Sequence, residues 1–171
     1  MPISTAQPAD IQKLLPLVNS AFRGDSARKG WTHESDLLDG TIRTDEATMR
    51  TMMQQPGAAF LQWINEETGQ LEGCVYLRPR NRGLYLGMLT VDPELQARGT
   101  GKRLLQAAEA YAREHQCPAI YMTVISARTE LTDWYMRHGY VLTGEKEPFE
   151  VDAKYGTPTQ PLEFLVLEKK M

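Results

Sequence analysis

The chain carries only two cysteines and three histidines in 171 residues. Cys74 and Cys117 have neither CxxC spacing nor a local histidine, so both read as buried free thiols, and no metal site or disulfide is expected. No run approaches the ~18 apolar residues that a membrane-spanning helix requires, which argues against a membrane partner. The first ten residues, MPISTAQPAD, lack the basic and apolar blocks of a signal peptide, which points to the cytoplasm. Positive charge is not in excess: 19 Lys and Arg against 22 Asp and Glu give a net charge of −3, so nothing draws the chain to nucleic acid. Internal repeats, linkers and low-complexity tracts are also missing. A length of 171 residues is enough for one well-buried core and short for two, so one domain over residues 1–171 is expected.

What is present is organised around the stretch from Gly83 to Glu114. Leu84 to Val91 is an apolar run of strand length that breaks at Asp92-Pro93. After the break comes Gln96-Ala97-Arg98-Gly99-Thr100-Gly101, and then Leu104, Leu105, Ala108, Tyr111 and Ala112 fall at helical spacing on one face. This is a strand, a glycine-bearing turn and an amphipathic helix. The first turn of a helix leaves backbone N–H groups without intrahelical partners at the positive end of the macrodipole, so the unit suits an anion such as a pyrophosphate. Gly99 and Gly101 permit close approach of backbone to phosphate, and Arg98 and Lys102 add charge. A Walker loop is excluded, because Gln96 stands where it needs Gly and Arg103 follows the lysine; Leu104 excludes a dinucleotide fingerprint.

The pattern Q-x-x-G-x-G after a strand ending Leu89-Thr90-Val91 resembles the coenzyme A loop of the GNAT family of N-acetyltransferases. A second strand-like run, Ala119 to Val124, and then RTELTDWYMRHGYVLTGE from Arg128 to Glu145 resemble that family's next strand, helix and strand. The likeness is specific over about residues 83–145. It implies an α/β fold with a mixed, mostly antiparallel sheet of six to seven strands and about four helices. It also implies acetyl-CoA as co-substrate, with Gln96, Ala97, Arg98, Gly99, Thr100, Gly101 and Lys102 around its pyrophosphate. Backbone groups of Leu89, Thr90 and Val91 are implied to meet the pantetheine arm and the thioester carbonyl. Tyr135, placed before Gly139-Tyr140, takes the family position whose hydroxyl points at the sulfur of coenzyme A, as the general acid. Arg128 stands where the family usually has Asn.

Elsewhere the signals are those of a scaffold. Residues 3–7 read as a short strand, Pro8 to Gly24 as a helix, and about Thr44 to Gln55 as a second helix with Asp45 and Glu46 favouring its N-terminus. Ala58 to Asn65, Leu71 to Arg80 and the organising strand form a meander, in which Gly87 marks a bulge or a close backbone approach. Tyr140 to Glu145 and Leu162 to Leu167 read as strands, with a long loop from Lys146 to Pro161 between them. Trp31, in a polar loop, either plugs the core edge or lines an acceptor pocket.

The reaction implied is direct attack of a neutral amine on the thioester, the amine belonging to a small molecule or a peptide. Glu34, Glu145 and Glu147 are the candidate bases for its proton. Acidic residues in the first polar loop (Glu34, Asp36, Asp39) and the last (Glu145, Glu147, Glu150, Asp152) favour a cationic acceptor. The alternative is a non-catalytic acyl-CoA-binding sensor or interaction module, which the fold alone also permits. A homodimer is left open.

Overall fold

The structure is a computed structural model. It describes residues 2–22, 38–39, 43–95, 98–149, 157–158 and 162–171. In chain order the elements are β1 (Ile3–Thr5), a 3-10 turn (Pro8–Asp10), α1 (Ile11–Phe22), β2 (Leu38–Asp39), α2 (Glu46–Met53), β3 (Ala59–Ile64), β4 (Leu71–Arg80), β5 (Gly83–Val91), α3 (Thr100–Glu114), β6 (Ala119–Ile125), α4 (Thr129–Arg137), β7 (Val141–Pro148), β8 (Thr157–Pro158) and β9 (Glu163–Lys170). Seven strands form one sheet in the order β1-β3-β4-β5-β6-β9-β7. All pairings are antiparallel except β5 with β6, the pair joined by α3. The expected mixed sheet and four α-helices are therefore present among the described residues.

Period-2 alternation sends successive side chains to opposite faces of the sheet, and each face has its own core. Val75 and Leu77 of β4, Leu84 and Leu86 of β5, and Ile120 and Met122 of β6 belong to one core with Leu104, Leu105, Ala108 and Ala112 of α3 and with Leu131 and Tyr135 of α4. Cys74 and Tyr76, the alternate residues of β4, belong to the other with Ile11, Leu14 and Val18 of α1 and Met49 of α2. α2 begins as its sequence dictates: Asp45 accepts a hydrogen bond from the Thr48 amide at 2.8 Å, satisfying one of the otherwise unpaired first-turn donors.

Two irregularities shape the centre. Tyr76 pairs with Gly87 and Cys74 with Thr90, so Met88 and Leu89 together oppose Val75 alone, and Met88 takes a positive φ of 50°. This is a β-bulge. It changes the phase of β5, so that Leu84 and Leu86 before it and Leu89 and Val91 after it all enter the α3-side core. The bulge signalled by Gly87 sits at the next two residues. The second irregularity is that the parallel ladder registers only Leu84 with Ile120 and Tyr85 with Tyr121, and past Tyr85 the two strands part.

The structure differs from the sequence reading at the C-terminal end. β7 continues through Glu145, Lys146 and Glu147 to Pro148. It is an edge strand paired only with β9, its residues almost all exposed, so it lacks the apolar alternation that marks a half-buried strand. The short pair Leu38–Asp39 with Thr157–Pro158 ties the first polar loop to the last, a pairing that no local pattern signals.

Candidate active site

The glycine turn and the start of α3 lie at the C-terminal end of β5, where the ladder has parted. Gly99 is the N-cap of α3, in the left-handed region at φ 81° and ψ 4°, with no side-chain cap. A Cβ added there would meet nothing within 4 Å, and Arg98 and Lys102 beside it are exposed. The cap is therefore open backbone with cationic neighbours. Gly101 does something else. Its missing side chain faces Trp134 of α4, whose ring carbons would lie 3.3 and 3.4 Å from a Cβ, so that glycine serves helix packing. Gly73 seats the helix from below: a Cβ there would come within 2.9 Å of the Thr90 carbonyl oxygen and 3.2 Å of Thr100 Cγ2. Gln96 and Ala97 lie outside the described residues.

Leu89, Thr90 and Val91 occupy β5 beyond the bulge, along the stretch that no longer registers with β6. The Thr90 hydroxyl donates to the Met88 carbonyl at 2.8 Å, which holds the turned backbone in place. Tyr135 belongs to the same buried cluster as Leu89 and Val91 and is 5% exposed. Its ring meets those of Trp134 and Tyr140 edge-on, with centroids 5.1 and 5.8 Å apart. Burial pushes its phenol well above the ordinary tyrosine range, and the charge of Arg128 opposes part of that rise. Arg128 is itself buried at the N-cap of α4, where its carbonyl accepts from the Thr132 amide at 3.1 Å and the Thr132 hydroxyl at 3.2 Å.

The opposite face of the sheet holds a cleft of about 840 Å³ between α2 and strands β4, β5, β6, β7 and β9. Its floor is a row of side chains in register: Arg78 pairs with Tyr85, and Tyr85 with Tyr121. The Tyr85 and Tyr121 rings lie 5.6 Å apart, and Tyr76 and Tyr85 6.3 Å apart. The Tyr76 hydroxyl donates to the Met52 carbonyl at 2.8 Å, and burial pushes that phenol up to about 12. Tyr85 is also raised by burial, while the charges of Arg43 and Arg80 draw it down.

Arg78 and Arg80 stand one above the other on the cleft face, two residues apart on β4. Of the predicted bases, Glu147 lines the cleft. Glu145 is turned to another use. Arg82 donates to both its oxygens, at 2.7 and 2.9 Å, and holds its carboxyl below the usual range. A carboxylate so stabilised is a poor proton acceptor. Trp31 and Glu34 lie outside the described residues. The residues that sequence reasoning missed are Tyr85, Arg78 and Arg80; the only local signal was the spacing Tyr85-x-Gly87 on one strand face. Among the described residues no group of three or more His, Cys, Asp or Glu is placed to hold a metal ion, and no helix is long and apolar enough to cross a membrane.

Comparison with known proteins agrees with this geometry. The chain is 32% identical over 105 residues to an amino-acid acetyltransferase of Ralstonia nicotianae, covering 60% of this chain and 21% of that relative, so it spans about a fifth of the relative's length. By fold it resembles a ribosomal-protein-alanine N-acetyltransferase of Brucella melitensis, with a TM-score of 0.71 at 19% identity over 100% of both chains. It also resembles a Bacillus anthracis protein, described as a streptothricin acetyltransferase and solved with acetyl coenzyme A, with a TM-score of 0.59 at 21% identity over 71% of this chain and 67% of the other. The acetyltransferase (GNAT) family model matches residues 21–140, from the end of α1 through the bulge, the open helix cap and Tyr135 to Tyr140, and the chain belongs to that family.

Proposed function

We propose that the protein transfers an acetyl group from acetyl-CoA to an amine held in the cleft. The observation that carries this reading is the parting of β5 from β6, which lies between an open cationic helix cap on one side and a cleft on the other. The pyrophosphate of coenzyme A binds at the Gly99 cap with Arg98 and Lys102, together with Gln96, Ala97, Thr100 and the backbone of Gly101. The pantetheine arm takes the free edge of β5 at Leu89, Thr90 and Val91, as a strand would. A solved acetyltransferase of this fold, the Bacillus anthracis protein, holds acetyl coenzyme A.

The chemistry of this reading is direct attack. The lone pair of a neutral amine attacks the thioester carbonyl carbon, and the carbonyl electrons move to oxygen. A β5 amide near Leu89 stabilises that oxyanion. Collapse re-forms the carbonyl and breaks the C–S bond, and Tyr135 gives its phenolic proton to the departing thiolate. The proton lost by the new amide nitrogen passes toward Glu147, the carboxylate that the cleft offers. No covalent enzyme intermediate is needed. Release of free thiol from acetyl-CoA, followed with a thiol-reactive dye across a panel of amines, tests the reading. Release that requires both protein and amine supports it. Tight coenzyme A binding with no amine-dependent release leaves a non-catalytic acyl-CoA-binding module in its place.

A further inference from the structure

Two arginines on the floor of a pocket are an unusual provision for an amine that must arrive uncharged. Arg78 and Arg80 both line the cleft, and among the described residues neither makes a hydrogen bond or an ion pair. Arg50 pairs with Glu46 at 2.8 Å, Arg82 with Glu145 at 2.7 Å, and Arg103 lies over the Trp63 ring at 5.3 Å; what sets Arg78 and Arg80 apart from exposed arginines such as Arg113 and Arg137 is that both line the cleft. Arg78 is half-buried and Arg80 exposed, and each guanidinium carries five N–H donors that can meet a molecule in the cleft. Glu147 is the one carboxylate among the described lining residues, so the ionisable groups there leave a single net positive charge.

We infer that the acceptor is a small amine that also bears a carboxylate, which Arg78 and Arg80 grip while the amine reaches the parting of β5 and β6. This deepens the acetyltransferase reading and rests on it. The planar guanidinium fork matches a carboxylate with two parallel hydrogen bonds, which a lysine pair would not. With its amine neutral, as attack requires, an amino acid carries one negative charge and complements the cleft. The Tyr85 and Tyr121 rings, side by side with Arg78 across β5 and β6, supply apolar surface for the atoms joining the two groups. A cationic acceptor, which the acidic loops suggested, would meet two guanidinium groups of like charge instead.

The test uses the full chain with acetyl-CoA and the common amino acids, each beside its α-amide and its decarboxylated amine, with rates compared per neutral amine. At least one acid should be turned over about tenfold or more faster than both of its neutral counterparts. Arg78→Gln and Arg80→Gln should each raise KM for that acid by about 10- to 100-fold, the range of a charge-assisted hydrogen bond, with acetyl-CoA affinity unchanged. Arg78→Lys, which keeps charge and loses the fork, should fall between. Amides or plain amines turned over as well as every acid would overturn the inference and leave the transferase standing. Calorimetry on the coenzyme A complex separates the reverse case. Acids that bind in an Arg78- and Arg80-dependent way without thiol release keep the anion-reading cleft and remove the transferase. Failure of both acids and amides to bind removes the inference.

Discussion

The ring of Tyr85 occupies the space that a side chain at Gly87 would need: a Cβ built on Gly87 would lie 2.9 Å from both Tyr85 Cε2 and Tyr85 Oη. The glycine therefore sets the rotamer of a residue two positions away on the same strand face, and tips its hydroxyl along β5 toward the bulge. Gly87→Ala should displace that ring from the cleft floor. The expected result is a fall in kcat/KM toward the amine of roughly 10- to 100-fold, the usual cost of misplacing a positioning group by about 1 Å, with acetyl-CoA affinity unaltered. Tyr85→Phe should reproduce the effect if the hydroxyl is what the glycine positions. An alanine variant with wild-type kinetics would mean that Tyr85 is only floor.

The two glycines of the phosphate turn should separate under mutation. Gly99 is open to solvent, so Gly99→Asp adds a carboxylate at the helix cap without a steric clash, though at φ 81° it also strains the left-handed cap. Coenzyme A affinity should fall at least about tenfold, or about 1.4 kcal/mol. Gly101→Ala presses a methyl toward Trp134 at 3.3 Å, so overpacking offsets the helix-propensity gain of about 1 kcal/mol that alanine would otherwise bring, and coenzyme A affinity should hold while Tm fails to rise. Calorimetry and thermal melting read the two quantities independently. Equal loss of affinity for Gly101→Ala would return that residue to the ligand's side.

Stability in alkali should carry the mark of a buried thiol. Cys74 is fully buried, and burial pushes it from 9.0 to about 12, against a smaller opposing effect of its hydrogen bond with Thr90. Its folded value exceeds its unfolded value, so the stabilisation is complete below pH 9 and is lost as pH rises toward 12. At about pH 10.5 the loss from this group alone is about 2 kcal/mol. Chemical denaturation at pH 8 and pH 10.5 should show a steeper decline in the wild type than in Cys74→Ala. Parallel declines in the two proteins would mean that the thiol ionises freely in the fold.

The sequence made the scaffold legible and hid the chemistry of the cleft, for physical reasons. Strand alternation, the Asp92-Pro93 break and the helical spacing after Gly99 are local signals, and β3 to β6 with α3 stand where they put them. Asp45 caps α2 because capping depends on only three residues. Arg78 and Arg80 stand at the end of the Leu71 to Arg80 strand, and alternation alone puts them on one face without saying what that face meets. Glu145 looked available because its partner, Arg82, is 63 residues away. That Gly101 also makes room for Trp134 was hidden because Trp134 lies on another helix. Carboxylate counting in two loops pointed to a cationic acceptor, whereas the described lining of the cleft carries Arg78 and Arg80 against Glu147.

The role of Tyr135 is testable by removing one oxygen. An alkyl thiolate of pKa about 8.5 is a fair leaving group, so help from a general acid should be useful without being absolute. Tyr135→Phe keeps the ring contacts with Trp134 and Tyr140. We expect kcat to fall by roughly 10- to 1,000-fold with little change in coenzyme A affinity or Tm, because the lost contact matters in the transition state. For a phenol with an ordinary pKa the gap between wild type and variant would narrow above about pH 9, as ionisation removed the same proton. Burial raises this phenol, so it stays protonated through that window, and the gap should persist undiminished up to pH 10. Stopped-flow thiol release across pH 7 to 10, under single-turnover conditions, reads it directly. A gap that closes by about pH 9 would place the phenol in water and away from the buried cluster with Leu89 and Val91. Wild-type kcat in the Phe variant, with chemistry rate-limiting, would make Tyr135 a packing residue and assign the thiolate's proton to solvent.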